Sequence, residues 1–182
     1  EDLPDRLPNS LYGDVTFDEE GTGFYYTLRS RIDGPRIWHH VLGEQQSDDE
    51  MIWGYGYGAT VFISMNRIAD GAYRLYHAQH GWARNDYFIQ AGDGPIRPLV
   101  EGVPAHFQIQ YREGQLYIRT DWEASNFRLM VADPADPALE RWSELIPEGE
   151  DLLESYTFID GRIYVTYLRE VENRISVFEM DG

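Results

Sequence analysis

Residues Phe107–Thr120 read "FQIQYREGQLYIRT", and their reading decides the fold. Apolar and polar residues alternate through "FQIQY", a Glu-Gly pair interrupts at Glu113 and Gly114, and alternation resumes in "QLYIRT". Period-two alternation on both sides of such a pair marks two half-buried strands joined by a tight hairpin. The same grammar recurs at Val15–Leu28 ("VTFDEEGTGFYYTL") and Tyr156–Leu168 ("YTFIDGRIYVTYL"). Each copy is followed, after a polar gap, by another strand-like run: "RIWHHVLG", "NFRLMVADP" and "NRISVFEMDG". Gly114 and Gly161 stand 47 residues apart, and a fourth, weaker copy fits "GATVFISMN" followed by "YRLYHAQ". A period in the forties made of four short strands is what propeller blades look like in sequence. The expected fold is all-β, an incomplete β-propeller of three to four blades of antiparallel sheet, with a two-sheet sandwich as the competing arrangement.

Composition supports this. Aromatic residues make up 14% of the chain, including 13 Tyr, and such side chains suit a half-buried pleated surface. At 182 residues the chain has room for a sizeable core, and one propeller-type domain over 1–182 is expected, with 1–12 irregular and 13–182 forming blades. The formal charge is −17, so phosphate backbones and anionic membrane surfaces are repelled, and neither nucleic acid nor a membrane is an expected partner. Cysteine is absent, which removes disulfide frameworks, thiolate metal sites and cysteine nucleophiles. No apolar run approaches the roughly 20 residues of a membrane helix, so the chain reads as soluble, with cytoplasm and periplasm both open. The first residue is Glu1, and "RISVFEMDG" is a strand followed by a turn signal with no partner strand after it, so a fragment of a longer protein is expected.

Motifs for chemistry are sparse. No Gly-x-Ser-x-Gly sets a serine on a nucleophile elbow, so no hydrolase triad is expected in this chain. His39 and His40 are adjacent on a predicted strand and point to opposite faces, so they cannot share a metal locally. The acidic runs at 18–20, 48–50 and 148–151 fall in predicted turns and read as solvated loops, with no calcium-loop spacing and no evident glycosidase pair. No cofactor or metal is expected. "WGYGYGAT" (Trp53–Thr60) lacks any phosphate-loop pattern and suits a tight stretch where tyrosines pack. The five tryptophans could stack on sugars, but packing within blades is the simpler reading for each.

Thr120–Pro147 ("TDWEASNFRLMVADPADPALERWSELIP") spends many specific residues on what looks like a connector. Asn126 and Arg128, two apart on a predicted strand, face one side, and Arg128 is expected to bridge blades or cap a carboxylate. Trp142 is expected to plug the gap between sheets. These three are the expected structural residues of a blade crossing.

With these stretches in place, the chain resembles the prolyl oligopeptidase family of serine peptidases, specifically the middle portion of its N-terminal seven-bladed β-propeller domain. "IWHHVLGEQQSDDEMIW" looks like the family's histidine-valine-leucine-glycine turn with its acidic residues and following strand. "LYIRTDWEASNFRLMVADPADPALERWSELIPE" and "LLESYTFIDGRIYVTYLREVENRISVFEMDG" look like the segments that follow it in order. The resemblance covers nearly the whole chain from Gly13. Asp121 stands where the family usually has Asn, and Ser125 where it has Pro.

The resemblance implies a part of a substrate-gating propeller, not catalytic by itself, in a parent that hydrolyses short proline-containing peptides with a separate α/β-hydrolase domain. The implied partners are the remaining blades and hydrolase domain of the parent chain, and short peptides through it. Thr27, Arg29, Asn66 and Arg67 are the implied substrate-tunnel candidates. "FISMNRIADGAYRLYH" resembles the family segment whose arginine faces the cavity, but alignment places Asn66 there and Arg67 beside it, turned to the other face unless a bulge intervenes. The alternative is a stand-alone propeller-like binding or scaffold module with a carbohydrate or protein ligand. Because three or four blades cannot close a ring, the isolated chain is expected to self-associate.

Overall fold

The computed structural model describes residues 5–8 and 15–182. Of the segment 1–12 expected to be irregular, residues 5–8 carry no strand, and the rest lies outside the described residues. Contacts divide the chain into two compact units, Glu1–Glu101 and Gly102–Gly182.

In the first unit, β1 (Val15–Phe17), β2 (Gly23–Ser30), β3 (Gly34–Val41) and β4 (Glu50–Trp53) form one antiparallel sheet in that order. A second sheet follows from β5 (Phe62–Ile68), β6 (Tyr73–Gln79), β7 (Asn85–Ala91) and β8 (Arg97–Val100). The second unit holds a four-stranded sheet of β9 (Phe107–Arg112), β10 (Gln115–Thr120), β11 (Arg128–Ala132) and β12 (Ser143–Ile146). Its other sheet has three strands, β13 (Leu152–Ile159), β14 (Arg162–Arg169) and β15 (Glu172–Phe178). The fold is all-β, a partial propeller in which each sheet is one blade.

The hairpins behave as their sequences require. Glu113 and Gly114 have φ of 49° and 88°, and Asp160 and Gly161 have 49° and 72°. Two left-handed central residues make the tight turn whose twist matches that of the flanking strands. At the β14–β15 turn Glu170 and Val171 adopt φ of 48° and 64° with no glycine, a costly conformation for a β-branched residue.

Two strands escaped the sequence pattern, β8 and β12. Both are four residues long and pair through a register shift, at Tyr87/Phe88 and Leu129/Met130 respectively. β4 is equally short and pairs through a shift at Ile37/Trp38, but its "EMIW" carries three large apolar residues, whereas Pro98 demotes β8 and "SELI" has only two apolar residues. β11 also begins at Arg128 rather than Asn126, because Phe127 takes φ of 63° and cannot continue a strand.

Each unit has its own core. Tyr25, Ile37, Ile63, Met65, Tyr76 and Phe88 join the two sheets of the first unit. Leu129, Ile146, Leu153, Tyr156, Ile163 and Val165 do so in the second. Fully burying each such side chain stabilises by about 1.5–3 kcal/mol.

Candidate functional site

The first unit carries all four tunnel candidates, and strand direction decides where they fall. Its upper end carries the β1–β2, β5–β6 and β7–β8 turns and the β3–β4 connection. The lower end carries the β2–β3 and β6–β7 turns and the β4–β5 connection. Thr27 and Arg29 share one face of β2. Thr27 is buried and borders a crevice with Thr16, Tyr26, Ile37 and Met65 that has room for about one water molecule. Arg29 lies at the lower end, where its Nη2 donates to the Ala59 carbonyl at 3.0 Å and its guanidinium lies 3.9 Å from the Phe62 ring centre.

Asn66 and Arg67 lie toward the upper end of β5. The β5–β6 ladder runs from Phe62↔Gln79 to Ile68↔Tyr73 without a bulge, so the two residues point to opposite faces. Asn66 is exposed. Arg67 donates through Nη1 to the carbonyls of Phe17 and Asp18, each at 2.9 Å, and pairs with Glu19 at 3.4 Å. Gly71 allows this approach: a Cβ there would sit 2.2 Å from the Arg67 guanidinium, and φ is 94°. Arg67 therefore ties β5 to the neighbouring sheet. The candidates are split between two ends of the unit, Arg29 below and the Asn66–Arg67 pair above.

A buried polar cluster stands behind the upper end, and the sequence pattern did not single it out. His40 is fully buried, with Nδ1 2.7 Å from Asp49 Oδ1 and Nε2 3.0 Å from Asp5 Oδ1. Tyr26 donates its hydroxyl to Asp49 Oδ2 at 2.7 Å, and the Gly43 amide donates to Asp5 Oδ1 at 2.6 Å. Burial alone would lower the His40 pKa, but the hydrogen bonds to Asp5 and Asp49 outweigh it and hold it above its ordinary value. The Gly43 amide, then His40, hold the Asp5 carboxyl below its ordinary range. Burial and the Asp49 hydrogen bond push the Tyr26 phenol up to about 12. The only available signal was the His40, Asp48-Asp49 spacing around Gly43, since the partner Asp5 is remote in sequence. The two carboxylates take opposite ring nitrogens, so they converge on no common metal position. Among the described residues no group of three or more His, Asp or Glu is arranged to hold a metal ion.

In the second unit Asn126 sits in the turn before β11. Its amide accepts nothing from Arg128. Instead Nδ2 donates to the carbonyls of Gly149 and Glu150 at 3.0 and 3.2 Å, while its own backbone N–H donates to Glu148 at 2.7 Å. Arg128 pairs with Glu144 at 3.2 Å and lies over the Trp122 ring. Trp142 is buried, donates to the Pro137 carbonyl at 3.0 Å, and meets Phe107 and Trp122 edge-on. Of the tryptophans, Trp53 packs among Tyr57, Tyr76 and Phe88, but Trp82 is 97% exposed and contributes nothing to a core. In "WGYGYGAT" Tyr57 packs while Tyr55 is 84% exposed.

The model of the prolyl oligopeptidase N-terminal β-propeller domain matches residues 1–182. A prolyl endopeptidase of Elizabethkingia meningoseptica is 25% identical over 173 residues, which is 88% of this chain and 24% of that protein. Prolyl oligopeptidase A of Galerina marginata is 24% identical over 205 residues, 99% of this chain and 28% of that protein. A solved structure from a structural and mechanistic analysis of two prolyl endopeptidases superposes with a TM-score of 0.84 at 26% identity, covering 96% of this chain and 27% of that one. The chain spans about a quarter of the length of the curated relatives it matches.

Proposed function

This chain belongs to the prolyl oligopeptidase N-terminal β-propeller family, and from that premise we propose that it is part of the substrate-gating propeller of a serine peptidase acting on short proline-containing peptides. The observation that carries this reading is the match of the propeller-domain model along the entire chain. Bond cleavage belongs to a separate α/β-hydrolase domain of the parent. The residues here contribute a wall that admits peptides by size.

Within that reading Asn66 is the β5 residue that faces the substrate path, since it is exposed while Arg67 is engaged with β1 carbonyls on the opposite face. Thr27 and Arg29 shape the wall below it. Asn126 holds the blade crossing toward β13, while Arg128 and Trp142 brace the blade that precedes it. The isolated chain self-associates, because β15 is a sheet edge whose Ile175 and Val177 are 67% and 49% exposed.

The test is kcat/KM of the parent protein for proline peptides of increasing length, up to the same sequence inside a folded domain. A steep loss with size, changed in its cut-off by Asn66→Trp, supports the gating role. Equal cleavage of the folded substrate contradicts it.

A further inference from the structure

The lower end of the first unit differs from the rest of this acidic protein in both charge and apolar exposure. Most carboxylates of the unit lie at the upper end, in the turns and connections at 18–20, 44–50, 70 and 93. There Arg67 pairs with Glu19 and Arg74 with Asp93. At the lower end Arg29, Arg31 and Arg36 make no ion pair among the described residues, although the chain holds 32 acidic residues against 15 basic ones. Arg29 and Arg36 instead spend part of their donors on backbone carbonyls, Arg36 reaching Gly54 at 2.8 Å and Tyr57 at 3.3 Å. Arg31 is exposed in the β2–β3 turn. Among the described residues the acidic groups near this end are few: Asp33 is bonded to Ser30, Asp86 is buried with His80 and Arg84, and Glu101 follows β8.

Between these arginines stand large apolar side chains that no core uses. Ile32 is 90% exposed, Tyr55 84% and Trp82 97%. They come from three successive connections that touch one another. Gly34 follows Ile32 and packs so closely that a Cβ there would lie 2.0 Å from the Tyr57 carbonyl oxygen. The Arg36 guanidinium lies 5.7 Å from the Tyr55 ring centre, and the Tyr57 ring stands 5.8 Å from His80, two residues before Trp82. The rim is therefore continuous across both sheets.

We propose that this rim is a docking surface for an acidic polypeptide segment carrying apolar side chains. Arginine forks bind carboxylates in two-point contacts, and exposed aromatic and aliphatic groups beside them supply the anchor that charge alone lacks. Charge complementarity selects the occupant. Among the described residues the rim gathers Arg29, Arg31 and Arg36 with few carboxylates beside them, while the acidic upper end repels an anionic partner and so orients it toward the rim. A peptide fits better than a nucleic acid, because a dense polyanion meets the field of a chain with formal charge −17 over its whole length, and a short acidic segment meets only the rim.

The test is fluorescence anisotropy of the 182-residue chain with a fluorescein-labelled peptide that alternates glutamate with leucine and phenylalanine. The same peptide with lysine for glutamate serves as the control. The acidic peptide binds, the lysine peptide does not, and the binding weakens as salt is raised. The double variant Arg31→Glu, Trp82→Ser lowers affinity about tenfold or more with an unchanged circular dichroism spectrum, since both side chains are exposed. Arg31→Lys alone lowers affinity less than the double variant, since it keeps the charge but loses the two-point contact. No binding, equal binding of the lysine peptide, or an unaltered affinity in the double variant overturns the proposal. So does tighter binding of single-stranded DNA or anionic vesicles than of the peptide. A chain dimer that disappears in the double variant without any peptide binding overturns it too, since it assigns the rim to a second copy.

Discussion

In the first unit, neighbouring sheets are joined at their ends by arginines that donate to backbone carbonyls: Arg67 to Phe17 and Asp18, and Arg29 to Ala59. In the second, two of the polar ties reach into the packed interior. Arg119 donates to the Leu153 carbonyl at 2.7 Å and lies 3.6 Å from the Phe127 ring centre, and the Tyr156 hydroxyl donates to the Tyr117 carbonyl at 2.8 Å. Both sit against a cluster containing Leu129, Leu153, Ile163 and Val165, each at most 1% exposed. One blade grammar thus tolerates two kinds of adhesive. The polar one leaves donors and charge near the surface, where a substrate path or a partner can use them, and the apolar one mainly holds the unit together.

The contrast breaks most readily at the cores. Leu153→Ala is expected to destabilise the second unit by about 2–5 kcal/mol, as a full side chain is lost from a packed site. Native-state hydrogen exchange should show lost protection in β13 and β14 with β2 and β3 unchanged; equal loss in both would mean the units unfold as one. Gly34→Ala is the matching change in the first unit. It forces a Cβ onto the Tyr57 carbonyl at φ of 80°, and is expected to cost about 3 kcal/mol, read as lost protection in β2 and β3.

Smaller effects sharpen the distinction between polar and apolar joints. Arg67→Ala should cost about 1–2 kcal/mol in urea denaturation, because the side chain is partly exposed and water can take over the Phe17 and Asp18 carbonyls. Arg67→Lys should recover only part, since one ammonium cannot reproduce the fork on two carbonyls and Glu19.

The His40 cluster gives the finest contrast, read as a slope against pH. The raised His40 pKa means its contribution is complete below its ordinary value and is lost as pH climbs through the raised one. The depressed Asp5 pKa means its contribution is present above the ordinary carboxylate range and lost as pH falls through the lowered value. The melting temperature of the first unit should therefore decline from neutral toward alkaline pH, and His40→Gln should flatten that decline. A slope unchanged in the variant would show that His40 is not its source.

Much of this molecule was legible in its sequence, for local reasons. β2 and β6 coincide with their runs because each pairs on both sides and packs directly on a core. β8 was hidden by Pro98, which demotes a strand-like run, and β12 by its two leading polar residues in "SELI". Asn126 and Arg128 looked like residues of one strand face, but the left-handed Phe127 separates them. Trp82 looked like a packing residue because a tryptophan in a β-rich chain usually is one; its turn position between Gly81 and Arg84 was the contrary signal. The His40 cluster depends on Asp5, a contact across 35 positions that no local pattern encodes.

The most direct test of the central assignment is fluorophosphonate labelling of this chain and of an extract from its source, with mass-spectrometric mapping of labelled proteins for the tryptic peptide "LMVADPADPALER" (Leu129–Arg141). The expected result is that the 182-residue chain stays unlabelled, while a much larger labelled protein contains the peptide. Recovery of the peptide only in an unlabelled protein of this length would contradict it.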